Sequence, residues 1–387
     1  MAFDELLITA TGRLPADLLP ALAAALGACG AELLDVEQVS LRGRALLGLV
    51  ARVPRGASLD GVAEAARARG VELAFEPAAP AGERGGQRQV ITVFGRRLAA
   101  GDLGAVGGLV AARGGTIESV ARLARAPMAA FEIHAAVPGD AGALRRELLE
   151  LSMRSGFDAA IQRERLFRRA KRMVVFDMDS TLIRIEVIDE LARAHGVVDQ
   201  VAAITDRAMQ GEMDYDESLR QRVALLRGLD VGVLDRIAAN LPLTEGAEVL
   251  VRALRRLGYR VAVLSGGFSV AAAALRDRLG LDWAHSNELE VKDGRLTGRV
   301  VGPIVNAQRK AELLETIAAR EGILLDQVIA VGDGANDLLM LEKAGLGIAF
   351  RAKPRLREAA DLSISAAGLD AILYLLGLTE EEIAELA

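Results

Sequence analysis

The sequence predicts an α/β chain: two small α+β units in tandem, each running βαββαβ, then a parallel sheet interrupted by a helical insertion. Three observations predict it. Residues 8–13 and 91–96 share the pattern Ile-Thr-x-x-Gly-Arg, and the segments after each copy match at a period of about eighty. Beyond residue 172, short continuous apolar runs alternate with helical patterning, as in a parallel sheet covered on both faces. Those runs end in acidic or glycine-containing loops, where such sheets place their ligands.

In the first copy, residues 7–13 read as a strand and turn, 17–27 as an Ala/Leu helix and 32–40 and 45–53 as strands. A helix over 59–69 and a short strand over 71–75 complete it. The second copy has the same series at 90–96, 102–113, 116–123, 128–137, 141–155 and 158–161. Between them, residues 77–87 hold two prolines, three glycines and no apolar period, so they read as a linker. Residues 163–172 carry six basic side chains. The run is short and has no interleaved aromatics, so it reads as a solvated connector helix and not as an anion or nucleic-acid patch. Strands are expected at 173–176, 261–264, 328–331, 346–350 and 362–364, with only helical patterning across 185–257. Asp293-Gly294 marks a hairpin turn, and the apolar tract 369–378 reads as a buried helix. Domains are thus expected at 1–77, 88–163 and 172–387.

The 387 residues are 51% hydrophobic and 26% charged, with a formal net charge of −6, which suits globular domains. Aromatics make up only 3%, so small aliphatic residues must fill the cores. The acidic balance argues against a nucleic-acid or membrane binder, yet a site needs only local positive charge to take an anion. Cys29 is the one cysteine, which fits a reducing compartment. The first residues carry no basic and apolar leader pattern, and no apolar run approaches the ~18–20 residues that cross a bilayer. A soluble cytoplasmic protein is expected. His134, His195 and His285 are scattered without metal-ligand spacing, and residues 104–115 lack a dinucleotide fingerprint.

Four segments carry chemistry. An apolar strand runs into Asp177-Met178-Asp179-Ser180-Thr181. Side chains two apart on a strand point the same way, so the two carboxylates repel unless a cation sits beside them, and Mg²⁺ is usual for an all-oxygen site. Such a pair can also divide labour between an ionised nucleophile and a general acid. A strand-end turn with a capping aspartate would give the same letters. Gly332-Asp333-Gly334-Ala335-Asn336-Asp337 follows another apolar strand and sets two acids four apart at a helix start. Ser265-Gly266-Gly267 offers a hydroxyl and backbone N–H groups, the makings of a phosphate cradle. Lys310 opens a helical stretch and, alone, would be a surface lysine.

Taken in order, Asp-x-Asp-x-Thr, Ser, Lys and Gly-Asp-x-x-x-Asp resemble the haloacid dehalogenase superfamily over about residues 172–387. The resemblance implies a Rossmann-like sheet with a helical cap at about 185–257. It implies that Asp177 is the nucleophile that forms an aspartyl-phosphate, and Asp179 the general acid and then base. Mg²⁺ would be held by the Asp177 and Asp333 carboxylates and the Asp179 carbonyl, with Asp337 supporting. Ser265, Gly266, Lys310 and Asn336 would bind the phosphate. Within the insertion, Ser218-Leu219-Arg220-Gln221-Arg222, together with Glu186 nine residues after Asp177, is similar to the phosphoserine phosphatase family. That likeness implies that Glu186 holds the ammonium and Arg222 the carboxylate of O-phospho-L-serine, while Met209 and Tyr215 exclude water. It implies hydrolysis to L-serine and phosphate, the last step of serine biosynthesis. A related small-molecule phosphatase, a transferase to an alcohol such as homoserine, and an amino-acid-sensing protein stay open beside it. Met178 and Tyr215 stand where phenylalanine is usual. The N-terminal repeats resemble ACT domains, which implies either an amino-acid effector or scaffolding in a homodimer. The usual Asp-Arg-Pro-Gly-like turn is absent from both, although Gly12 and Gly95 stand where a ligand-loop glycine would.

Overall fold

The computed structural model describes residues 2–79 and 86–386, so residues 80–85 of the expected linker lie outside the described residues. The chain forms two compact units, one ending at residue 84 and one beginning at 85.

The first unit runs β1 (Phe3–Gly12), α1 (Leu18–Ala28), β2 (Glu32–Leu41), β3 (Arg44–Pro54), α2 (Asp60–Arg67) and β4 (Ala74–Pro77). Its antiparallel sheet has the order β2-β3-β1-β4. Leu18, Leu22 and Leu26, one helical turn apart, bury against the alternate residues Leu47, Leu49, Ala51 and Val53 of β3. β4 starts three residues later than the sequence suggests. Val71 is apolar and buried, but its N–H donates to the Ala66 carbonyl (3.0 Å) in the turn that closes α2, so it is spent on the helix end.

The second unit begins with the second repeat: β5 (Gln87–Gly95), α3 (Ala100–Ala112), β6 (Thr116–Ala124), β7 (Ala129–Val137), α4 (Ala141–Ser155) and β8 (Asp158–Arg163), in sheet order β6-β7-β5-β8. One sheet face, with Ile91, Val93 and Ile133, packs on Val106, Val110, Leu144 and Leu148 of the helices. The other face, with Phe94, Ala130 and Ala160, is continuous with the core of the following parallel sheet. The second repeat is therefore built into the body that follows it.

The basic run is a correction. α5 (Leu166–Arg169) is a single turn, and two of its neighbourhood's cations are buried. Arg168 is 5% exposed and pairs with buried Glu132 of β7, while Lys171 is 7% exposed and donates to the Asp326 carbonyl. The segment is a clamp between repeat and sheet, and its counter-charge lies 36 residues upstream, out of sight of any local pattern.

The parallel sheet contains β9 (Met173–Phe176), β10 (Arg260–Phe268), β11 (Trp283–Lys292), β12 (Arg295–Val301), β13 (Val328–Gly332), β14 (Leu346–Phe350) and β15 (Leu362–Ile364). Their order is β12-β11-β10-β9-β13-β14-β15, with only the β11–β12 hairpin antiparallel. Asp293 and Gly294 close that hairpin with φ of 50° and 73°, the left-handed pair that such a tight turn needs. The cap comprises α6 (Val187–His195), α7 (Val198–Met209), α8 (Tyr215–Ala224) and α9 (Val231–Ala239). It leaves and rejoins the sheet through paired segments: Ile183 bridges Leu243, and Thr244 N–H donates to the Leu182 carbonyl at 2.9 Å. α10 (Ala247–Arg256) falls after that junction and packs on β10, so the excursion ends before the expected residue 257. The remaining helices are α11 (Ser269–Leu279), α12 (Ala307–Arg320), α13 (Leu338–Lys343), α14 (Pro354–Ala359), α15 (Ile372–Leu375) and α16 (Glu380–Leu386). The tract from Leu369 to Leu375 is buried, as its composition suggests.

β8 lies alongside β15. Asp158 at its start accepts from the N–H groups of Ser365 (2.9 Å) and Ala366 (2.8 Å) just past β15. No helix among the described residues is long and apolar enough to cross a membrane.

Candidate active site

β9 is apolar and fully buried, and it lies at the centre of the sheet between β10 and β13. Its end delivers Asp177, whose N–H donates to the Val331 carbonyl of β13 at 2.9 Å. The chain then makes one wide turn, closed by Ile183 N–H on the Met178 carbonyl (3.0 Å) and requiring φ +58° at Ser180. This turn brings Asp179 back inward, where its Oδ1 accepts from Val187 N–H (3.3 Å) at the start of α6.

Lys310 sits on the first turn of α12 with 0% exposure. Its Nζ lies 2.7 Å from Asp177 Oδ1 and 2.7 Å from Asp337 Oδ1. Asp177 Oδ1 also accepts from Met178 N–H (2.7 Å). Asp337 Oδ2 accepts from Asp333 N–H (3.2 Å) and Gly334 N–H (3.1 Å), so the carboxylate braces the loop that carries Asp333. Thr181 Oγ1 donates to Asp333 Oδ1 at 3.3 Å. A side chain at Gly332 would collide with Asp337, which is why the strand ends in glycine there.

The charge is unbalanced. Burial, then the negative field of Asp337, pushes Asp177 well above the carboxylate range despite Lys310. Burial, then Glu186 and Asp177, does the same to Asp179. Asp333 is pushed up to about 7 by burial, then Asp337 and Glu186. Burial opposes the charge on Lys310, but Asp177 and Asp337 outweigh it and hold the ammonium protonated. Four carboxylates, those of Asp177, Asp179, Asp333 and Asp337, share one ammonium, and one oxygen from each of Asp177, Asp333 and Asp337 lies within 4.8 Å of the others. An all-oxygen set with excess negative charge fits a hard divalent cation.

The glycine loop lies opposite. Ser265 is buried, and its Oγ accepts from Gly267 N–H at 2.8 Å. A Cβ on Gly267 would fall 2.7 Å from the Met178 side chain, and one on Gly266 would overlap the Tyr215 hydroxyl. Both positions therefore need bare backbone. From the cap, the Tyr215 hydroxyl donates to the Gly266 carbonyl (3.2 Å), and Asn306, the N-cap of α12, donates to Asp216 (3.0 Å). Burial pushes the Tyr215 phenol up to about 12, against the opposing fields of Lys310 and Arg222.

The structure thus brings together Asp177, Asp179, Asp333, Asp337, Lys310 and the Ser265–Gly267 loop. Glu186 is exposed at the start of α6 and accepts from the Ser180 hydroxyl at 2.7 Å. Arg222 is half-buried on α8 and donates to the Ser218 carbonyl one turn back (3.3 Å). Asn336 is half-buried in the turn after Gly334. Met209 is a correction: at 64% exposure on the last turn of α7, it shields nothing from water. Sequence reasoning also passed over Asn287, which is 1% exposed on β11. An amide buried in a strand is unusual enough to have been a signal.

Residues 171–345 match the haloacid dehalogenase-like hydrolase model, and residues 4–76 and 88–162 each match an ACT domain. Over 366 residues the chain is 46% identical to the phosphoserine phosphatase of Streptomyces coelicolor, covering 92% of this chain and 88% of that protein. The chain belongs to the phosphoserine phosphatase family. The family's phosphoserine phosphatase SerB2 of Mycobacterium tuberculosis is 45% identical over 386 residues, 98% of this chain and 94% of that one. A solved structure described as a phospho-aspartyl intermediate analogue of phosphoserine phosphatase is 48% identical, covers 53% of this chain and 98% of its own, and superposes with a TM-score of 0.50.

Proposed function

We propose that this chain hydrolyses O-phospho-L-serine to L-serine and phosphate through an aspartyl-phosphate on Asp177, as the last step of serine biosynthesis. The observation that carries this reading is buried Lys310, set 2.7 Å from both Asp177 and Asp337. A fixed ammonium there neutralises a phosphoryl group as it reaches the nucleophile. Asp177 Oδ1 takes two donors, so Oδ2 is the oxygen left to attack phosphorus. Asp179 has the raised pKa a general acid needs. It protonates the departing serine oxygen, then takes a proton from the water that opens the acyl-phosphate. Ser265 and the backbone of Gly266 hold the phosphoryl oxygens, with Asn336 beside them. Mg²⁺, held by Asp177, Asp333 and the Asp179 carbonyl with Asp337 bracing, would supply charge neutralisation at phosphorus. At the cap, Glu186 suits the substrate ammonium, and the Arg222 fork suits its carboxylate.

The ACT repeats are read as a scaffold, with an amino-acid effector as the further role. A cytoplasmic homodimer completes the reading. Exposed Val39, Leu41 and Val120 on the edge strands β2 and β6 support association of two copies, which sedimentation would detect. The test of the reaction is phosphate release from O-phospho-L-serine against a panel of phosphomonoesters, with and without Mg²⁺. Asp177→Asn is expected to abolish turnover, and near-normal activity in that variant would refute the mechanism.

A further inference from the structure

We propose that Asn287, through one side-chain amide, sets the distance between the glycine loop and Lys310 and so acts as a positioning residue for phosphoryl transfer. The inference rests on the reaction proposed above.

β10 and β11 pair in parallel through Ala262–Trp283, Val263–Ala284 and Leu264–His285, and the register then slips to Phe268–Asn287. Three residues of β10, Ser265 to Gly267, thus lie opposite a single residue of β11, Ser286. The slip takes the Gly266 carbonyl out of the paired register, where, beside the Tyr215 hydroxyl (3.2 Å), it needs a fixed donor from the sheet. Asn287 supplies it: Nδ2 donates to the Gly266 carbonyl at 2.7 Å. The other end of the same amide is also engaged, for Oδ1 accepts from Val305 N–H at 2.8 Å.

Each bond controls a reacting group at one remove. The Gly266 carbonyl and the Gly267 N–H belong to one planar peptide. Fixing the carbonyl therefore fixes the direction of the N–H that donates to Ser265 Oγ at 2.8 Å. On the other side, Val305 precedes Asn306, whose side chain caps α12 by accepting from Arg309 N–H at 3.0 Å. Lys310 follows within that first turn. One rigid amide thus spans from the hydroxyl of the cradle to the start of the helix that carries the ammonium. Asn287 makes no hydrogen bond to the carboxylates or to Glu186 and Arg222, so its main effect falls on the phosphate side of the site, with the Tyr215 hydroxyl, which shares the Gly266 carbonyl, as a link to the cap.

Asn287→Leu removes both bonds with the same branched outline, its methyl groups being bulkier than the amide, and places an apolar side chain in the strand. Asn287→Thr is a second variant, a good strand former whose hydroxyl is too short to span both partners. In the full chain with Mg²⁺, kcat is expected to fall about 30- to 100-fold, the scale of an ångström-sized misplacement. KM for O-phospho-L-serine should stay within about threefold, because the serine end is undisturbed. Affinity for orthovanadate should fall in step with kcat, while inhibition by L-serine should not change. A folded variant with kcat within about threefold of wild type overturns the proposal. So does a parallel loss of vanadate and L-serine affinity, which would mark general distortion, or failure of both variants to fold. The wild-type assay run alongside reports on the reaction itself, and vanadate binding tests Asn287 whichever ester proves to be the substrate.

Discussion

Lys310→Met is the most informative single change to the aspartate cluster. The ammonium is fully buried and lies 2.7 Å from Asp177 and from Asp337, so its removal leaves two buried carboxylates facing each other. Breaking a buried ion pair by deleting one partner costs about 3–5 kcal/mol. Asp177 already has a raised pKa and takes up a proton readily, so the low end, about 3 kcal/mol, applies. For a unit of about 300 residues that corresponds to a fall of roughly 5 °C in Tm without metal. Mg²⁺ should recover more Tm in the variant than in wild type, since it relieves the repulsion that Lys310 no longer offsets. Loss of a preorganised charge at the phosphoryl group should lower kcat on the order of 10²–10³-fold. The assays are thermal unfolding with and without Mg²⁺ and phosphate release. A drop of less than about 2 °C in metal-free buffer, or kcat within about tenfold of wild type, would refute the reasoning.

Arg222→Ala should raise KM for O-phospho-L-serine by about tenfold or more while sparing O-phosphoethanolamine, which lacks the carboxylate; equal losses on both would remove Arg222 from recognition. Arg168→Ala should destabilise the second unit by about 3 kcal/mol, because buried Glu132 loses its guanidinium, and Arg168→Met combined with Glu132→Leu should recover much of that in denaturant unfolding. Lys171 supplies a pH dependence: burial lowers its pKa from 10.5 to about 8. Between those values the unfolded chain binds the extra proton, so stability should rise with pH from about 8 to 10.5, by about 3 kcal/mol at most. Denaturant titrations of Lys171→Met should lack that rise.

How much of this was legible depends on how local the cause is. The strands of the parallel sheet are short continuous apolar runs, and their ends carry Asp177, Ser265 and Asp333, so periodicity and chemistry fell on the same residues. Lys310 was legible only by its order among the other motifs, since nothing local distinguishes it from a surface lysine. The burial of Arg168 and Lys171 was not legible, because the groups that accept them come from β7 and from the turn before β13. Asn287 was missed for a related reason: the carbonyl it serves leaves the paired register only once β10 slips against β11. Met209 failed in the opposite sense, since the family likeness implied a water-excluding cap position where α7 ends in solvent.

The junction of β8 with β15 bears on what happens when the chain is cut. β15 is the last strand of its sheet, and a bare sheet edge invites pairing with another molecule. In the intact protein that edge is guarded: β8 runs beside it, and Asp158 occupies the N–H groups of Ser365 and Ala366. A fragment starting at residue 172 would expose this edge together with the apolar patch that Phe94 and Ala130 cover. Such a fragment would keep every aspartate of the site and still be prone to self-association, so solubility rather than chemistry would limit its use.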